Sequence, residues 1–177
     1  MGKEIGGWKI KSHRGQGHSA VVFDAVRDGE VGALKVFDPD LVDRSGKGKQ
    51  IARINRELAL RGESHPHLVR VLDGGLCTKT DYLFIVMELL DSPNLASVID
   101  TLPRDRIRPV ISQVASAAKF LEDRRIVHRD IKTDNIAISP DFKHATLLDL
   151  GVIRPLDLTT AEPSSDGRRK SFVGTLR

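Results

Sequence analysis

Two hydrophobic periods meet in this chain, and the seam between them near residues 88–93 constrains the fold more than any other feature. Before the seam, apolar residues come in short alternating or β-branched runs. Trp8-Lys9-Ile10-Lys11 alternates, Ala20-Val21-Val22-Phe23 is continuous, and Val31 to Phe37 follows Asp28-Gly29, the dipeptide of a tight hairpin. Further strands are expected near 68–72 and 82–88. One helix interrupts them, over about 49–61, with Ile51, Ile54 and Leu58 on one face and Gly62 and His65-Pro66 as its stop. After Asp91-Ser92-Pro93 the period becomes helical. A short helix is expected over 95–102. A long one is expected over about 105–123, with Ile107, Ile111, Val114, Ala118 and Leu121 on one stripe and Pro109 in its first turn, where a missing N–H costs little. Mostly β followed by mostly α predicts an α+β chain of two lobes, with a cleft between them where ligands bind.

Composition narrows the function classes. The chain has 177 residues, 40% of them apolar and 29% charged, enough to bury a core without disulfides. The single cysteine, Cys77, excludes an internal disulfide framework and a cysteine-based zinc site, and reads as a packing residue. The net charge of +4 is spread over scattered basic clusters, and aromatic residues are few, so nucleic acid is not an expected partner. Met1 to Lys11 lacks the apolar stretch of a signal peptide, and Tyr82 to Met87 is too short to span a bilayer. A cytoplasmic chain without a membrane segment is the expectation. From Pro155 onward the chain is polar and hydroxyl-rich and reads as a loop.

Three places carry chemistry. Gly15-Gln16-Gly17-His18 lies between two expected strands, where glycines let backbone amides approach phosphate oxygens; a plain hairpin turn is the alternative. Lys35 interrupts an apolar strand and shares a face with Val31 and Ala33. A half-buried ammonium needs an anion, which Glu57 on the following helix or a phosphate can supply; two unrelated surface charges are the alternative. His128-Arg129-Asp130-Ile131-Lys132-Thr133-Asp134-Asn135 packs an acid, cations, an amide and an imidazole between apolar segments. Phosphoryl transfer needs such a set: an acceptor for the nucleophile's proton, a cation for the transferring phosphate and oxygens for magnesium. Asn135 and Asp149 can supply those oxygens.

Taken together and in this order, these residues resemble the eukaryotic-type (Hanks-type) Ser/Thr protein kinases over about residues 8–177. The resemblance implies a protein-kinase-like bilobal fold: a β-rich N-lobe with one helix over 1–88, a hinge at 89–93, and part of an α-helical C-lobe over 94–177. It implies ATP and Mg2+ as cofactors and a protein as substrate. Gly15, Gln16, Gly17 and His18 would form the phosphate-covering loop, and Val22 and Ala33 the roof over adenine. Lys35 would hold phosphates and pair with Glu57. Met87 would be the gatekeeper, with Glu88 to Leu90 as the adenine-contacting hinge. Asp130 would accept the substrate hydroxyl's proton, Lys132 would meet the γ-phosphate, and Asn135 and Asp149 would ligate magnesium. His128 would be architectural, packing near Leu150. Thr159, Thr160, Ser164, Ser165 and Ser171 would be activation-loop phosphoacceptors, Ser171 foremost.

Some residues depart from the family pattern. Ala20 replaces the third glycine, Arg14 stands where an apolar residue covers adenine, Leu150 replaces a phenylalanine, and 57–66 is about one residue short. The family pattern also continues past Gly174-Thr175-Leu176-Arg177, which implies a cut inside the activation segment and an α-helix at 105–123 with part of its apolar face exposed. A truncated pseudokinase-like nucleotide or partner-binding module is one alternative, and a small-molecule phosphotransferase another.

Overall fold

The computed structural model describes residues 3–17, 20–40, 42, 46–149 and 154–155. The chain divides into two compact units. The first comprises Met1–His65 and Val69–Asp91, the second Pro66–Leu68 and Ser92–Arg177. His18, Leu150 and all five expected phosphoacceptors lie outside the described residues.

The first unit is a six-stranded antiparallel sheet with one helix. Its strands are β1 (Glu4–Ile5), β2 (Trp8–Gln16), β3 (Ala20–Arg27), β4 (Glu30–Phe37), β5 (Val71–Cys77) and β6 (Tyr82–Glu88), in the order β1-β2-β3-β4-β6-β5. Asp28 and Gly29 both adopt positive φ, as the tight β3–β4 turn requires. Gly6 closes the β1–β2 turn at φ +59, and a Cβ there would lie 2.1 Å from the Phe84 ring, so no side chain fits. One face of the sheet buries Ile5, Trp8, Ala25, Leu34, Val36, Phe84 and Val86 in a continuous cluster. The Trp8 indole N–H donates to Asp73 (3.0 Å), Arg27 pairs with the same carboxylate, and the Arg27 guanidinium sits 4.6 Å above the Trp8 ring.

The helix α1 (Lys47–Leu58) packs on β5 and β6. It ends three residues earlier than its sequence pattern implies, because residues 59–62 form hydrogen-bonded turns. The fifth strand also differs from expectation. It begins at Val71 rather than 68 and runs on to Cys77, which is buried at the strand end. Leu68 bridges instead to Leu147 in the second unit, and Leu147 N–H donates to His67 carbonyl at 2.9 Å.

The second unit contains α2 (Leu95–Val98), a 3-10 turn (Ile99–Thr101), α3 (Arg104–Asp123), β7 (Ile126–Val127), a second 3-10 turn (Thr133–Asn135), β8 (Ile136–Ile138), β9 (Ala145–Leu147) and β10 (Arg154–Pro155). Asn94 caps α2 by accepting from Ser97 N–H at 2.9 Å. The expected single helix over 95–102 is thus one α-turn followed by a 3-10 turn. α3 buries Val114 and Leu121 of the expected stripe together with Val110 and Ala117 beside it, and leaves Ile107 and Ile111 44% and 63% exposed. The helix starts at Arg104, so Pro109 lies inside it rather than in its first turn, where its missing N–H leaves the Asp105 carbonyl without a helical donor. Gln113 ties α3 to the start of β9, donating to the Lys143 carbonyl (2.8 Å) and accepting from Ala145 N–H (2.7 Å). Among the described residues no helix is long and apolar enough to cross a membrane.

Candidate active site

In the first unit, strand register gathers residues that are far apart in sequence. Directly paired residues of antiparallel strands share a face. Gly15 pairs with Val22, Val22 with Lys35, Asp24 with Ala33, and Ala33 with Met87. Gly15, Val22, Ala33, Lys35 and Met87 therefore line one side of the sheet, opposite the Trp8 cluster. The turn after β2 is closed by Gly17 N–H donating to the Ala20 carbonyl at 2.9 Å. Gln16 is the last residue of β2 and pairs with Val21. Lys35 is half-buried, with its ammonium 5.6 Å from the Phe37 ring centroid. Glu57 is 2% exposed, on the same inward face of α1 as Ile54. A carboxylate that deep is retained in folded chains when a cation answers it.

Glu88 and Leu90, at the end of β6 and just beyond it, are held by side chains. Arg70 N–H and Nε donate to the Glu88 carboxylate (2.8 and 3.1 Å), and Glu88 N–H donates to the Arg70 carbonyl (2.9 Å). Arg14 makes contacts that residue spacing did not reveal. Its Nε donates to Asp24 (2.6 Å), its Nη1 to the Leu90 carbonyl (3.2 Å), and its Nη2 lies 3.8 Å from Asp91. Ser12 donates to the other Asp24 oxygen at 2.7 Å. The Arg14 hydrogen bond, then that from Ser12, holds the Asp24 carboxyl below its ordinary range. Arg14, expected only as an odd cover for a base, is thus a strap from the β2–β3 hairpin to the chain leaving β6. The signal available in sequence was its polarity at an apolar position.

In the second unit, the loop after β7 is cross-braced by its own members. Asn135 Nδ2 donates to both the carbonyl and Oδ2 of Asp130, each at 2.9 Å. Lys132 Nζ lies 3.0 Å from Asp130 Oδ2, and this hydrogen bond is the main reason the Lys132 pKa is raised. Asp149 also acts electrostatically on Lys132. His128 is buried. Its Nε2 donates to the Leu148 carbonyl (2.8 Å), and its Nδ1 accepts from Asp130 N–H (3.3 Å). Burial pushes the His128 pKa down, so the neutral imidazole is the form the fold accepts. Its partner is Leu148; Leu150, named in the expectation, lies outside the described residues. Leu148 N–H returns to the Asn135 carbonyl at 2.8 Å, which stitches the loop to the segment carrying Asp149. Arg129 and Asp149 take positive φ (67° and 50°), a conformation that aspartate tolerates better than most residues.

This donor set suits a hard cation. The Asn135 amide nitrogen is committed to Asp130, so its amide oxygen is the atom a cation would take, and Asp149 adds a carboxylate. Among the described residues no cluster of three or more His, Cys, Asp or Glu is placed to hold a metal alone. Magnesium does not need one, since it takes most of its ligands from phosphates and water.

Comparison with known proteins follows the same lines. A family model described as "Protein kinase domain" matches residues 8–177. Mitogen-activated protein kinase kinase kinase 1a of Physcomitrium patens is 32% identical over 174 residues, covering 95% of this chain and 21% of that protein. Serine/threonine-protein kinase PknF of Mycobacterium tuberculosis is 33% identical over 154 residues, covering 81% of this chain and 30% of that protein. The chain thus spans less than a third of either relative. The solved PknI kinase domain of M. tuberculosis superposes with a TM-score of 0.73 at 23% identity, over 85% of this chain and 61% of that one. At that identity the likeness speaks for the fold alone.

Proposed function

Because the chain belongs to the protein kinase domain family, we propose that it is the ATP-binding and catalytic part of a Ser/Thr protein kinase, with 89–93 as its hinge segment. The observation that carries this reading is the bracing of Asp130: one carboxylate oxygen receives both Lys132 and Asn135, which holds an acceptor in one orientation.

Within the second unit, Asp130 accepts the proton of a substrate serine or threonine hydroxyl as its oxygen attacks phosphorus. Lys132 leaves Asp130 enough to meet negative charge growing on the transferred group; its raised pKa keeps it cationic. Asn135 and Asp149 would hold magnesium, which when bound with ATP neutralises phosphate charge. Neutral His128 takes no proton in this scheme and serves to hold the Asp130 backbone against Leu148.

Within the first unit, the Gly15 to Gly17 turn, with His18 beside it, would cover phosphates. Val22, Ala33 and Met87 would offer an apolar surface to adenine, and the backbone of Glu88 to Leu90 its polar edge. Lys35, answered by Glu57, would bind phosphate oxygens. Thr159, Thr160, Ser164, Ser165 and Ser171 are proposed sites of regulatory phosphorylation.

The test is transfer of labelled phosphate from Mg-ATP to a generic protein substrate by the full-length protein. Asp130→Asn should lower the rate by roughly two to four orders of magnitude while nucleotide binding persists. Undiminished transfer by that variant removes Asp130 from its role. Phosphorylation of sugars or aminoglycosides instead of protein would redirect the substrate assignment.

A further inference from the structure

The other face of the same sheet carries a cavity that this reading does not use. Its volume is about 520 Å3, within the roughly 300–1,000 Å3 of small-molecule sites. Its floor is Val21 and Phe23 on β3, Val36 on β4 and Ile10 on β2. Val21 pairs directly with Val36, one residue off the Val22–Lys35 pair, so side-chain alternation puts the floor on the side opposite Val22 and Lys35. Lys3 to Ile5 form one wall, Phe37 to Pro39 another, and Tyr82 stands at the mouth, 37% exposed.

We propose that this cavity is a second ligand site, for a neutral, flat aromatic molecule carrying a hydroxyl or carbonyl group. Three observations set that chemistry. First, Phe23 and Tyr82 meet here in a chain with only six phenylalanines and one tyrosine, and aromatic walls favour a flat ring at offset or edge contact. Second, the Tyr82 hydroxyl and the Lys3 ammonium at the rim have no partner among the described residues, so a polar group on the ring finds donors. Third, Glu4 at the rim is answered by Lys79 at 4.0 Å, which leaves Lys3 set against Asp38, and this balance favours a ligand without net charge.

One consequence rests on the proposed function. β3 and β4 carry the floor on one face and Val22, Ala33 and Lys35 on the other. A ligand that stiffens these strands changes Mg-ATP affinity, and Mg-ATP changes the ligand's affinity by the same factor.

Titration of the 177-residue chain with 2-naphthol, followed by amide NMR shifts, tests the site. Saturable shifts are expected at residues 21–23, 36–38 and 80–82. Val21→Phe, which fills the cavity, should weaken binding by roughly tenfold or more. Tyr82→Phe, which removes only a hydroxyl and is expected to fold normally, should weaken it by roughly fivefold. No saturable shift in the unmodified chain, or binding untouched by both substitutions, overturns the site. An Mg-ATP affinity that 2-naphthol leaves unchanged overturns the coupling. Failure of Mg-ATP to bind at all counts against the kinase reading and leaves the 2-naphthol result standing.

Discussion

Asp130 and Lys35 reach their places by opposite routes. Asp130 is held by Lys132 and Asn135 in its own loop and by the backbone link to His128. A few residues of chain with the right turns are enough to make that arrangement. Lys35 sits on β4 and Glu57 on α1, and each is placed only when the sheet is in register and the helix has packed on it. The contrast teaches that the catalytic loop depends on local hydrogen bonds, whereas the face carrying Lys35 depends on a distributed core. Four perturbations separate the two.

The largest effect is expected from Ile54→Ala. Ile54 is 1% exposed in α1, and its truncation should destabilise the first unit by about 2–5 kcal/mol. Hydrogen exchange should show protection falling across β4 and β6 while the β8–β9 hairpin keeps its own. Equal loss in both places would break the comparison. Next, Asn135→Ala removes two hydrogen bonds to Asp130, at about 1–3 kcal/mol. The urea midpoint of the second unit should drop while that of the first stays, and phosphate transfer should fall with it.

Acid offers a third test. His128 has a folded pKa below its ordinary 6.5, chiefly through burial. The unfolded chain then binds the proton first, so the second unit loses stability as pH falls below about 6.5. In the first unit, burial raises the Asp73 pKa, but the Trp8 and Arg27 hydrogen bonds outweigh it and leave the net shift downward from 3.8. The stability from that depressed pKa is present above 3.8 and fades as pH falls through the lower folded value. Thermal melts at pH 7 and pH 5 should therefore weaken the second unit first. His128→Gln should flatten its response, and an unchanged slope in that variant would remove His128 as the cause.

The smallest effect belongs to Arg14→Leu. The strap is part-exposed, so its loss should lower stability by at most about 1 kcal/mol. Faster amide exchange confined to residues 12–17 and 22–24 is expected. No change there would mean that the Arg14 contacts do not restrain the hairpin.

The sequence was most legible where the signal is local. The Asp28-Gly29 turn, the seam near residue 90 and the His128 to Asn135 loop depend on neighbours in the chain, and each stands where the spacing put it. It was least legible where partners come from afar. Periodicity placed the stripe of α3 on Ile107, Ile111, Val114, Ala118 and Leu121; Val114 and Leu121 are buried as expected, but Val110 and Ala117 are buried where Ile107 and Ile111 are not, and a helix with apolar residues on two adjacent lines cannot choose between them alone. The strand after α1 was displaced for a similar reason. Leu68 is apolar and suits either unit, and only the bridge to Leu147 shows which one takes it.

By itself, then, the sequence determined the two structural halves, the turn between β3 and β4, and the residue set of the catalytic loop, because turn chemistry and hydrophobic period act over a few residues. Tertiary structure alone decided that Val22, Ala33, Lys35 and Met87 share one face, that Arg14 straps the β2–β3 hairpin to Leu90, and that Phe23 and Tyr82 line one cavity. Those are matters of strand register, and a slip of one residue would send every one of these side chains to the other face.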